Sequence, residues 1–188
     1  MTRSLIALLS LLTLSACGGA SNPNAGAPMQ VADRVQLSAY QGLWYEIASI
    51  PSGFQAGCSN TTARYTPDGE NRVTVLNRCR LGGGINSIEG FATAEATDSA
   101  ILSVDLRILG LFNTGPSPYW VLAVGPVGAD GLYDWAVVGN PSRSFGWILS
   151  REPTLGDREI AQAQAVLTQS GYDLDDFRFD PQDRPFNE

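Results

Sequence analysis

Two gaps define which residues in this chain can do chemistry. It has no histidine, and all 12 of its basic residues are arginine. Serine–histidine and cysteine–histidine nucleophilic catalysis, histidine-ligated metals and Schiff-base lysines are therefore excluded. Carboxylates and tyrosines remain. Glu46, Glu89 or Asp134 could act as acid or base if buried near Tyr65 or Tyr133. No recognisable nucleophile–base motif accompanies them, so no catalytic residue is assigned and an enzyme is the weaker function class. No metal site or cofactor is expected; haem ligation would have to come from tyrosine or cysteine alone.

The other reactive groups are three thiols, Cys17, Cys58 and Cys79. Cys17 ends an N-terminal stretch in which Arg3 is the sole charge and Leu5 to Leu14 is almost wholly apolar. This is the anatomy of a secretory signal, and the apolar run is shorter than the roughly 20 residues that span a bilayer. The tetrapeptide Leu14-Ser15-Ala16-Cys17 resembles the lipobox of bacterial lipoproteins. That resemblance implies cleavage before Cys17 and acylation of its thiolate, with two or more chains making a stable anchor. Gly18 follows instead of an aspartate, which in bacterial lipoproteins implies the outer membrane; the periplasmic face is the expected side, with surface exposure left open. An exported chain meets oxidising conditions, so the two cysteines left over, Cys58 and Cys79, are expected to pair. They flank a hairpin signal, Thr66-Pro67-Asp68-Gly69. An even-membered loop would set them directly across from each other. A three-residue loop would shift the register and call for a bulge.

These groups need a scaffold. The expected layout is a signal peptide over 1–16, a lipidated flexible tether over 17–36, and one folded domain over 37–188. The net charge of −7 argues against nucleic acid as a partner and against electrostatic adhesion to anionic lipid. The 20 glycines and 11 prolines punctuate eight short strand signals. These run over Trp44–Ile50, Ser59–Tyr65, Arg72–Arg80, Ile88–Ala96, Leu102–Ile108, Tyr119–Val124, Tyr133–Gly139 and Phe145–Ser150. Leu102, Val104, Leu106 and Ile108 alternate with polar residues, whereas "YWVLAV" and "WAVVG" are apolar on both faces. The latter strands must be covered outside as well as inside. Ile160, Ala163, Val166 and Leu167 recur at helical spacing, with a capping-box-like start at Thr154 and Asp157 and a stop at Gly171. An all-β sandwich or an eight-stranded up-and-down antiparallel barrel, with one C-terminal helix packed on its outside, satisfies these patterns.

The segment "GLWYEIASIP", Gly42 to Pro51, resembles the Gly-x-Trp signature of the lipocalins. "WILSREP", Trp147 to Pro153, resembles that family's third motif, and "LYDWAVVGNP" stands in the place of the second while departing from its usual Thr-Asp-Tyr form. "PYWVLAV" and "ARYTPDG" are similar to the apolipoprotein D-like branch, which includes bacterial lipoproteins. The resemblance covers roughly Leu37 to Phe179 and selects the barrel. It implies that Gly42, Trp44 and Arg151 are structural, with Trp44 filling the closed end and Arg151 stacked across it. It also implies an interior that takes fatty acids, lysophospholipids or similar amphiphiles, with the membrane as partner through the lipid anchor. Facing rules then put Tyr65, Asn77, Trp147 and Leu149 toward the ligand; one of the neighbours Tyr119 and Trp120 must also face in, and Trp120 is taken as that residue. The competing reading is an envelope interaction module whose barrel is a filled core.

Overall fold

In a computed structural model of the chain, residues 26, 28–51, 53–96, 99–108 and 112–186 are described. Cys17 and the expected signal peptide lie outside them. The described residues contain no group of three or more metal-ligating side chains and no helix long and apolar enough to cross a membrane.

The chain forms a closed antiparallel barrel. A one-turn helix, α1 (Leu37–Tyr40), precedes β1 (Gly42–Ser49), β2 (Ser59–Pro67), β3 (Arg72–Leu81), β4 (Gly84–Ala94), β5 (Ile101–Ile108), β6 (Phe112–Asn113), β7 (Ser117–Val124), β8 (Trp135–Gly139) and β9 (Gly146–Ser150). Then come α2 (Asp157–Gln169) and a short β10 (Arg178–Phe179). Eight strands follow one another around the sheet, and β1 pairs with both β2 and β9, which closes it. The two short extra strands lie outside that circuit: β6 adds to β5 and β10 to β1. Closure leaves no long unpaired edge.

Local chemistry accounts for most strand ends. Gly82 and Gly83 both have positive φ, 56° and 86°, and form a two-residue turn between the paired Leu81 and Gly84. Only such a mirror-image turn matches the strand twist, and it lets β4 begin at Gly84, four residues before the sequence signal. β8 begins at Trp135 instead of Tyr133, because Tyr133 makes an isolated bridge to Val127.

Two cores result. The inner one contains Trp44, Tyr65, Val73, Val75, Leu102, Val121, Val138 and Leu149. The outer one joins β1, β7, β8 and β9 to α2 through Tyr45, Ile47, Leu122, Val137, Ile148, Ala163 and Leu167. This second layer is why "WAVVG" is buried on both faces. α2 starts at Asp157 with Gly156 as its N-cap and no side-chain cap bond, so the expected Thr154/Asp157 capping box does not form. It stops as expected. Gly171 takes φ 85°, Gly171 N donates to Thr168 O, and Tyr172 N donates to Leu167 O. Tyr172 then lies on β8 where Gly139 leaves no room for a side chain.

The described part of the segment expected as a tether packs against the barrel. Val35 is fully buried, Met29 and Val31 pack on the outer core, and Ala32 N donates to Val121 O. Among the described residues, packing reaches back to Met29, since small polar-looking stretches can still carry single apolar anchors.

Cys58 and Cys79 form a disulfide. They do not face each other directly. Ser59 pairs with Arg80 but Thr62 with Arg78, so β2 carries a bulge, with Asn60 in the left-handed region at φ 55°. The C-terminal tail stitches this bulge down. Asn60 N and Thr61 N donate to the Asp180 carboxylate, each at 2.7 Å, while the Asn60 amide bonds Asp183 and accepts from Arg184 N. The disulfide joins residues 21 apart. Replacing both cysteines by serine should lower unfolding free energy by about 3 kcal/mol. Urea melts with and without reductant test this: reductant should shift the parent protein and leave the double variant unmoved.

Candidate functional site

The closed end is built around one arginine. Arg151 leaves β9 and lays its guanidinium over Trp44, with Cζ 3.6 Å from the ring centroid. Its Nε donates to Tyr133 O at 2.9 Å, Nη1 to Leu43 O at 2.6 Å and Nη2 to Ala39 O at 3.1 Å. One planar cation thus ties α1, β1 and the segment before β8 together. Gly42 allows this: its φ of 93° is a backbone conformation that other residues rarely adopt, and a Cβ there would already touch Arg151. Burial lowers the Arg151 pKa to about 10, which still leaves it charged at neutral pH. Although the segment before β8 departs from the usual second motif, its Tyr133 carbonyl supplies the acceptor.

Aromatic contacts run from this floor toward the open end. Trp44 Nε1 donates to Tyr40 O at 2.7 Å, and the Tyr40 ring lies 5.0 Å from Trp44 and 5.5 Å, edge-on, from Tyr65. The Tyr119 hydroxyl bonds both the Tyr40 and Tyr65 hydroxyls at 2.9 Å. Trp147 stacks on Tyr119 at 6.1 Å and Phe145 on Trp147 at 5.9 Å. Burial raises the Tyr65 pKa to about 12 and those of Tyr40 and Tyr119 well above the ordinary value, so all three stay protonated.

Above the tyrosines is a cavity of about 290 Å³. Ala63, Tyr65, Val75, Val104, Leu106, Tyr119, Trp147 and Leu149 give it apolar walls. Thr62 and Asn77 add neutral polar groups, and Gly53, Gln55, Thr114 and Phe145 ring its mouth. Glu46 is the one charged side chain among the described lining residues. It is buried at 6 % exposure, accepts from Ser49 Oγ, and accepts from Gln55 Nε2 at 2.9 Å. Desolvation raises its pKa to about 7 despite those two donors, and the Asp180 charge adds to the rise. The barrel is therefore not a filled core.

Of the residues assigned to the interior from sequence, Tyr65, Asn77, Trp147 and Leu149 line this cavity. Trp120 does not. It packs against the outer core beside α2, and Tyr119 takes the inward position. The reason is register: Leu102 pairs with Tyr119 and Val121 is fully buried inside, so odd positions of β7 face in through Val121. Sequence reasoning missed Gln55 and Phe145, which lie in connections, and treated Glu46 only as a potential catalyst. Period two from Trp44 places Glu46 on the inner face. Glu89 and Asp134 are exposed, so neither shares a buried site with Tyr65 or Tyr133.

Residues 35–182 match the family model described as a lipocalin-like domain. The chain belongs to the lipocalin family. A putative lipocalin of Acanthamoeba polyphaga mimivirus is 35% identical over 143 residues, covering 74% of this chain and 80% of its own. The outer membrane lipoprotein Blc of Escherichia coli is 30% identical over 166 residues, covering 84% and 85%. Apolipoprotein D of Cavia porcellus is 32% identical over 182 residues, covering 91% and 89%. Lipocalins are typically binding proteins rather than enzymes, and membership supports binding of small hydrophobic ligands.

Arg151→Lys should cost roughly 2–4 kcal/mol, because a point ammonium cannot serve three carbonyls and a ring face together. Urea unfolding checks this against Arg72→Lys, whose ion pair with Asp68 is exposed and should change stability by less than about 0.5 kcal/mol. Glu46 supplies a pH test. Its folded pKa of about 7 lies above its ordinary 4.5, so the native state holds the proton longer than the unfolded state. Its contribution is fully present below about pH 4.5 and lost as pH rises to about 7. Glu46→Gln should flatten that part of the stability–pH curve, measured by thermal melts from pH 4 to 8.

Proposed function

We propose that this lipocalin is anchored to the bacterial outer membrane through acylated Cys17 and binds, stores or carries single-chain amphiphiles such as fatty acids and lysophospholipids. The observation that carries the reading is the cavity: apolar walls, a few polar groups, and a mouth between the β1–β2 and β8–β9 connections. At about 290 Å³ it lies at the small end of the ligand-pocket range of about 300–1,000 Å³. One acyl chain suits it better than a large planar pigment. The lipobox-like stretch and the relative named as an outer membrane lipoprotein support the anchor. On this reading the periplasmic face of the membrane is both the address and the source of cargo, and chemistry on the bound lipid is no part of the role.

Native mass spectrometry tests this on exported Cys17→Ala protein purified without detergent, with lipid extraction in parallel. The expected result is an adduct of single acyl-chain mass that is weakened or lost in Trp147→Ala. An intact protein that stays bare after incubation with fatty acids and lysophospholipids overturns the reading.

A further inference from the structure

Among the described residues, Glu46 has no partner of opposite charge. Its two donors, Ser49 and Gln55, are neutral. The other groups packed around it offer no cation. Tyr65 on the neighbouring strand β2 is a protonated phenol, and Leu149 and Trp147 on β9 are uncharged. The C-terminal tail brings Gln182, whose amide donates to Glu46 O at 2.9 Å, and Asp180, an anion. Arg151 is on the far side of the Trp44 ring, below the cavity floor. A buried carboxyl without a cation is costly for folding alone. Here it is held at the wall of an otherwise neutral cavity.

We propose that Glu46 selects cargo by headgroup, favouring amphiphiles with a cationic amine over those with a carboxylate. This rests on the proposed binding function and narrows its ligand class. An ammonium entering beside Glu46 gains a charge-assisted hydrogen bond in a site shielded from water. A carboxylate entering the same place sets two anions together, and one of them must take up a proton. Fatty acid binding is then coupled to proton uptake, while amine binding is not. The 3-10 turn Gly53–Gln55 adds a local effect: Gln55 both rims the mouth and bonds Glu46, so a headgroup that engages Glu46 competes with the bond holding this turn.

The test compares dodecylamine, dodecanoate and dodecanol binding to the parent protein and to Glu46→Gln by isothermal titration calorimetry at pH 5.5 and pH 8. At pH 8 the parent protein should bind the amine at least about tenfold more tightly than the carboxylate, a difference of about 1.4 kcal/mol. The ratio should shrink at pH 5.5, where Glu46 is protonated, and should collapse in Glu46→Gln. Dodecanol should bind both proteins alike. The pH comparison needs no variant, so a folding defect in Glu46→Gln does not remove the test. Dodecanol binding with an amine-to-carboxylate ratio indifferent to pH and to Glu46, or a carboxylate preference at pH 8, overturns headgroup selection and leaves lipid binding standing. No binding of any of the three overturns both.

Discussion

The structure depends on a single cation at its closed end. Arg151 stacks on Trp44 and donates to three carbonyls from three separate segments. Without it Tyr133 O and Leu43 O would each lose this donor, Ala39 O would keep only Tyr133 N, and the ends of β1 and β9 would lose their common clamp. Closure at this end is what allows the other end to stay open. Strands fixed at one rim and hydrogen-bonded all round need no packed plug above the floor, so the cavity can persist inside an otherwise tight inner core.

Polarity changes step by step along the barrel axis. The guanidinium lies beneath Trp44, the three linked tyrosine hydroxyls form the next level, and Trp147 and Phe145 lead to the mouth. Each of these hydroxyls has a partner among the three, and their two shared bonds use two of the three O–H donors. Glu46 is then the one charged side chain among the described lining residues of the cavity. The disulfide and the C-terminal tail, which both act at the start of β2, stiffen the side of the mouth closest to it. The same tail bonds the Glu46 carbonyl.

Much of this was legible in the sequence, and the exceptions share a cause. Strand count, order, the outer helix and its glycine stop follow from periodicity and turn residues, which are local properties. The roles of Trp44 and Arg151 came from motif resemblance, and the geometry agrees with it. Trp120 was misassigned because β7 is apolar on both faces. With no polar residue marking the outside, the facing of Tyr119 and Trp120 depends on pairing with β5 and β8, which one strand cannot reveal. The Cys58–Cys79 pairing was expected from compartment and count, but its register depends on a bulge at Asn60 that is held by residues 120 or more positions away. The start of the packed chain failed similarly: Val35 is an anchor only because the inner core has a place for it. Glu46 was the opposite case. Two-residue periodicity from Trp44 places it on the inner face, a signal in the sequence that the reading of Glu46 as a potential acid or base leaves unused.

The proposed function requires that the cavity lined by Tyr65, Tyr119 and Trp147 holds an acyl chain. A crystal structure of the protein grown with a terminally brominated dodecyl amphiphile tests this directly, because the bromine can be located by its anomalous signal. The account predicts a single bromine site inside the barrel, among the apolar walls between Trp147 and the tyrosine floor. A bromine found only on the outer surface, or an interior closed over by inward movement of Val104 and Leu106, would contradict it.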